Sequence, residues 1–107
     1  MRRNGYEIYS GANLRDSDLS STDLVGADLR SADLSYADLR FANLREADLS
    51  HANLTGANLL GAHMPAANFT SADLSYANLS KRENRLRDLD VLLTFPSSLV
   101  SFISITN

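Results

Sequence analysis

Cysteine and tryptophan are absent from the 107 residues, and proline occurs only twice. Without cysteine there is no disulfide scaffold, no thiolate metal centre and no Cys nucleophile. Aromatic residues make up 7% of the chain and the formal net charge is -3, a balance that gives no general attraction to nucleic acid or to an anionic membrane. The longest apolar-rich stretch, near the C-terminus, is interrupted by Ser97, Ser98, Ser101 and Ser104, which argues against a spanning helix. Met1 to Ser10 carries two arginines but no apolar h-region, so no secretory signal is visible and the expected compartment is the cytosol. The length suits one small domain.

What the chain has instead is a repeat. An apolar residue occupies every fifth position without a break: Leu14, Leu19, Leu24, Leu29, Leu34, Leu39, Leu44, Leu49, Leu54, Leu59, Met64, Phe69, Leu74 and Leu79. Two residues before each of these fourteen centres stands a small side chain, Ala except at Ser17 and Thr22. Directly before each stands Asp or Asn, except at His63.

A period of five suits neither regular element. On a helix, five residues turn about 500°, so the centres would wander around the axis. On a flat strand, an odd period sends alternate centres to opposite faces. One shared core requires a corner in every repeat, so the chain must wind around its own leucines. In each extended segment the small residue and the centre both point inward, and the intervening Asp or Asn points outward. There its side chain can accept from the corner's backbone N–H groups, as in an Asx turn. Gly11, Gly26, Gly56 and Gly61 each lie in phase at the second corner residue, where φ > 0 is expected.

These units, Ala-Asp/Asn-Leu-x-x from Ala12 to Lys81, resemble those of the pentapeptide-repeat family. The resemblance implies an all-β solenoid, a right-handed quadrilateral β-helix with four repeats and twenty residues per coil. The expected organisation is an N-terminal cap (1–11), the repeat array (12–81) and a C-terminal part (82–107). Tyr6, Ile8 and Tyr9 are candidates for an apolar lid on the first coil. At the other end Ser80 and Glu83 match a capping box, and Leu86, Leu89, Leu92 and Leu93 share a helical face. A short α-helical cap from Lys81 to about Thr94 is therefore expected, with Pro96 ending it. Leu99, Val100, Phe102, Ile103 and Ile105 follow as a candidate self-association surface, which a homodimer joined at the C-terminal ends would bury.

In a twenty-residue coil, Asp18 stacks with Asp38 and Asp28 with Asp48. Paired carboxylates serve glycoside hydrolysis only in a suitable pocket. The simpler reading is that each ties down its own corner, with like-charge repulsion strengthening proton binding to one member of each pair. His51 and His63 have no partner at a metal-ligand spacing; His63 reads as a substitute for Asx, and His51 as a surface group. No Ser-His-Asp constellation and no phosphate-binding glycine loop is recognisable, so no catalytic, metal or cofactor site is assigned. Tyr36 and Tyr76 lie forty residues apart on one side with Gly56 between them, and Phe41 and Leu60 project from the next. These four are the candidate partner surface.

The leading expectation is a non-enzymatic structural or protein-interaction module with an unidentified protein partner. The family resemblance supplies an alternative, a DNA-mimicking binder of a type II topoisomerase such as DNA gyrase. Residues 12–81 carry nine acids against five bases, a weak match to a strongly acidic mimic.

Overall fold

The computed structural model describes residues 1–80. The expected helix, the tail and the surface formed by Leu99, Val100, Phe102, Ile103 and Ile105 lie outside the described residues; within them there is no helix.

The array winds as a four-sided coil. Parallel bridges join residues twenty apart throughout, from Asn13 with Asp33 to Asn58 with Asn78. Each Asx therefore sits directly over the Asx of the next coil. The bonding around each bridge is regular: Leu14 N–H donates to the Asp33 carbonyl (2.7 Å), and Asp33 N–H donates back to the Ala12 carbonyl (2.9 Å). Coils paired this way rise by the ordinary strand spacing of about 4.8 Å.

All four sides drain into one core. Every centre from Leu19 to Phe69 is completely buried, and the alanines two residues before the centres, from Ala12 to Ala72, pack between them. Leu74, Ala77 and Leu79 are only partly buried against the same cluster.

At thirteen of the fourteen corners the fourth turn residue, the next small residue, donates its N–H to the carbonyl of the centre, as Ala37 does to Leu34 (3.0 Å); at the remaining one the Thr22 hydroxyl donates to the Leu19 carbonyl. The third turn residue has positive φ at all fourteen corners from Gly11 to Tyr76, as a type II turn requires. Four of these residues are the glycines expected there; the other ten, including Tyr36, Phe41 and Glu46, hold φ between 55° and 62°. Glycine is therefore optional at the corner. Intercoil hydrogen bonds such as Phe41 N–H to the Leu60 carbonyl hold the geometry against the preference of an L side chain.

All thirteen Asx side chains do what the Asx reading requires. Each places Oδ1 on the N–H two residues ahead, as Asp33 does for Ser35 (3.0 Å) and Asn68 for Thr70 (2.9 Å). His63 is the exception in sequence, and the next turn explains it. Two residues ahead lies Pro65, which has no N–H to offer, so an Asx acceptor at 63 would have no backbone donor. Proline suits the second position of a type II turn, and the His63 backbone keeps the ladder by accepting from Leu44 N–H (2.6 Å).

The two polar substitutions for inward alanine differ. The Thr22 hydroxyl donates to the Leu19 carbonyl (2.6 Å), whereas Ser17 Oγ is buried without a partner. Replacing Ser17 by Ala should therefore raise stability by about 1 kcal/mol, by removing an unsatisfied polar atom from a site where alanine is the usual occupant. Urea denaturation of the two proteins checks this.

The N-terminal residues form a hairpin that the repeat phase did not anticipate. Strand β1 (Arg2–Arg3) pairs antiparallel with β2 (Tyr6–Glu7) around Asn4 and Gly5, both at positive φ, the requirement of a type I′ turn. Its side chains stand where a preceding coil would bond. Arg3 Nε donates to the Asp23 carbonyl (2.6 Å), Asn4 Nδ2 donates to the Asp18 carbonyl (3.1 Å), and Tyr6 Oη accepts from Asp18 N–H (3.4 Å). Open backbone groups of the first coil are thus met by side chains instead of another strand. Ile8 is buried as part of the core cluster, with Tyr6 partly buried against it. Tyr9, expected in the lid, is 57% exposed, because the chain leaving the hairpin turns Ile8 inward one residue ahead of the repeat phase.

Candidate functional site

The corner column through Asp16, Tyr36, Gly56 and Tyr76, called the first corner, and the next, through Ser21, Phe41 and Gly61, called the second, flank one side of the coil, and the candidate surface residues gather there. Tyr36 and Tyr76 occupy equivalent places two coils apart at the first corner, while Phe41 and Leu60 belong to the second. Phe41 and Leu60 meet directly through the backbone bond between them (3.0 Å). Tyr76 is almost fully exposed at 93%, Tyr36 and Phe41 are about half exposed, and Leu60 is partly buried.

Two glycines make room for two of the rings. A Cβ on Gly56 would stand 2.5 Å from Tyr36 Cε1, and one on Gly61 would stand 2.5 Å from Phe41 Cε1. Each ring therefore lies across the bare backbone of the glycine one coil further on, much as an aromatic covers a cross-strand glycine in a sheet. Tyr36 also carries the Arg15 guanidinium over its ring, 4.9 Å from the centroid. Arg15 Nη1 donates to Ser35 Oγ (2.9 Å), which donates to Asp33 Oδ1 (2.6 Å), so the cation is itself anchored. Among arginines interspersed with acids, Arg15 reads from sequence as part of a mixed, solvated face, and neither its seat on Tyr36 nor either ring-on-glycine contact is marked by residue type. The twenty-residue spacing of Tyr36 with Gly56 and of Phe41 with Gly61 was the available signal.

Charge is distributed unevenly along the array. Its acids and arginines cluster in the first two coils, while the stretch from Leu49 to Ala72 contains no Asp, Glu, Lys or Arg. In the charged coils, Arg30 grips Asp28 in a two-pronged pair (2.8 Å at both oxygens), and Arg40 grips Asp38 in the same way (2.7 and 2.6 Å). Asp18, Asp28 and Asp38 are held below the usual carboxylate range, opposite to the strengthened proton binding that stacking alone suggests. The Ser20 hydroxyl and amide hold Asp18 below the usual carboxylate range, outweighing repulsion from Asp38. The Arg40 hydrogen bond lowers Asp38 as well, and that of Arg30 brings Asp28 from 3.8 to about 2. Asp33 and Asp73 are lowered mainly by the hydroxyls of Ser35 and Ser75. These carboxylates serve as ionised fasteners of the corners, and none lies in the arrangement of a raised general acid.

Such carboxylates set the acid limb of stability. Their folded values lie below the unfolded ones, so their contribution is complete above about pH 4 and is lost as pH falls from 3.8 toward about 2. The thermal midpoint should be flat near neutrality and decline through that window. In the Asp28→Asn variant the decline should be shallower, the two melting curves converging as pH approaches 2. Asp28 and Arg30 are both exposed, so added salt should reduce the difference.

His51 is exposed at a corner and His63 is exposed in an Asx column, far from forming a shared site by their placement on different sides. Among the described residues no helix is long and apolar enough to cross a membrane.

Comparison with known proteins follows the same periodicity. The family described as pentapeptide repeats matches residues 12–50 and 47–81, in eight copies. A crystal structure of a pentapeptide repeat protein from the cyanobacterium Cyanothece is 38% identical, with a TM-score of 0.54, over 68% of this chain and 55% of that one. A pentapeptide repeat protein of the Arabidopsis thaliana thylakoid lumen is 34% identical, with a TM-score of 0.51, over 74% of this chain and 54% of that one. The chain thus spans about half the length of either structure. No curated protein matches it.

Proposed function

Because the chain belongs to the pentapeptide-repeat family, whose right-handed β-helices are generally non-enzymatic repeat modules, we propose that it is a rigid interaction module that presents its first two corners to a protein partner. The observation that carries this reading is the placement of Tyr36. Its ring is held in advance between the Arg15 guanidinium and the bare backbone of Gly56, yet remains 53% exposed. A large ring fixed before binding loses little freedom on contact, which is the property of an interface anchor. Tyr76, Phe41 and Leu60 extend the same region, with Leu60 in the uncharged stretch. Between the Tyr36 and Phe41 corners, Arg40 and Asp38 are already paired with each other (2.7 and 2.6 Å), so a partner on this side meets a neutralised pair beside the rings.

The test uses the full chain with a photo-crosslinker in place of Tyr76, exposed to native lysate, beside the same protein carrying Tyr36→Ser. The expected result is a discrete crosslinked protein that persists in high salt and is lost with Tyr36→Ser. Equal crosslinking by both proteins would remove Tyr36 from the reading. Inhibition of gyrase supercoiling by the purified chain would replace it with DNA mimicry, a reading that the arginine-paired acids and the uncharged coil do not favour.

A further inference from the structure

We propose that Asn4 is a site of spontaneous deamidation and that its conversion opens the N-terminal cap of the coil. Asn4 is followed by Gly5 at the tip of the hairpin, and a Cβ built on Gly5 would meet nothing within 4 Å. Glycine supplies no Cβ to hinder approach of the Asn4 side chain to the Gly5 nitrogen once the turn opens. The hairpin has only two residues in each strand, so such opening is local and frequent compared with unwinding of the stacked coils.

The chemistry needs only water. The Gly5 nitrogen loses its proton and attacks Asn4 Cγ, the new N–Cγ bond forms, and the Cγ–Nδ2 bond breaks with release of ammonia. Water then opens the resulting succinimide at either carbonyl. Cleavage at Cγ leaves an aspartyl residue at position 4; cleavage at the main-chain carbonyl leaves an isoaspartyl linkage with one extra backbone carbon.

Either product removes the donor that the cap uses. Asn4 Nδ2 donates to the Asp18 carbonyl at the open edge of the first coil, and a carboxylate in its place is an acceptor facing an acceptor. The isoaspartyl linkage also lengthens the turn, which breaks the pairing of Arg3 with Tyr6 and Arg2 with Glu7. Arg3 would be left holding the Asp23 carbonyl while the Tyr6 contact with Asp18 and the Ile8 bond to the Met1 carbonyl loosen together. The other Asx residues are not in this position. The thirteen Asx residues of the repeat columns each have Oδ1 on the corner amide two residues ahead and are followed by a bulky centre, never by glycine.

The experiment ages the purified full chain at mildly alkaline pH and maps its tryptic peptides, in which Asn4 to Arg15 holds both Asn4 and Asn13. The expected result is a loss of ammonia confined to Asn4, with an isoaspartyl fraction. The aged protein and the Asn4→Asp variant should both melt a few degrees below the fresh chain. Amide exchange should accelerate at Ile8 and stay slow at Leu44. Retention of Asn4 in the aged folded chain, while the same chain in denaturant loses its amide there, would overturn the site. An Asn4→Asp variant with unchanged melting and unchanged exchange at Ile8 would overturn the link to the cap.

Discussion

Leu44→Asp should prevent the array from folding under conditions in which the native chain is stable. Leu44 is fully buried, stacked in one column with Leu24 and Met64, and its N–H bonds to the next coil through the His63 carbonyl. Loss of its burial costs about 1.5 to 3 kcal/mol. The carboxylate must also be desolvated or must drag its coil open, at several kcal/mol more. The sum rivals the whole stability of a small domain, about 5 to 15 kcal/mol. Position adds to the effect, because a coil in the middle of a solenoid has a neighbour on either side and its loss severs both interfaces. Circular dichroism during urea titration reads the result; a cooperative transition at the native midpoint would contradict a core continuous through Leu44.

Phe69→Ala should be the next most damaging change, at about 3 to 5 kcal/mol. Phe69 is the largest of the fully buried side chains and follows Leu29 and Leu49 in its column. It fills the axis near the end of the described array, where Leu74 and Leu79 are already only partly buried. Removing the ring leaves a void that a coil closed by backbone bonds on four sides cannot collapse into. Phe69→Leu restores the residue found at the same place in the two preceding coils, and should cost less than about 1.5 kcal/mol. Paired urea titrations separate the two variants. Equal midpoints for Ala and Leu would mean that Phe69 contributes surface rather than core.

The legible part of this molecule is its period, because fourteen centres five residues apart admit no helix or flat strand and force corners. The number of corners per coil is a different matter. Five-residue spacing alone does not say whether the coil closes after three, four or five sides; the family resemblance supplied four, and the bridges twenty residues apart agree. The Asx contacts were readable because their donor lies two residues away. Tyr36 on Gly56 and Phe41 on Gly61 were harder, since they depend on coil length and on the direction in which a ring falls. Ten corners gave no glycine to mark their positive φ. There the conformation is imposed by bonds from neighbouring coils, and local preference is overruled. At the cap, Ile8 and Tyr6 lie on the core as expected and Tyr9 does not: Tyr9 falls in phase with the repeat, but the hairpin signalled by Asn4-Gly5 brings Ile8 inward in its place.

The Asx contact has a consequence for how such a surface can change. Each corner uses Oδ1, an atom that aspartate and asparagine share, and leaves the second atom of the side chain, Oδ2 or Nδ2, to the surroundings. The backbone is therefore indifferent to which of the two residues is present, so the thirteen sites behave as a two-letter script written in parallel lines along the coil. One line reads Asn13, Asp33, Asn53, Asp73; the next reads Asp18, Asp38, Asn58, Asn78. A single-base drift between these letters rewrites the electrostatic message of a side while the scaffold stays as it was. Partners can thus be gained or shed by editing charge alone, with no step that must first be rescued by a compensating change in the core.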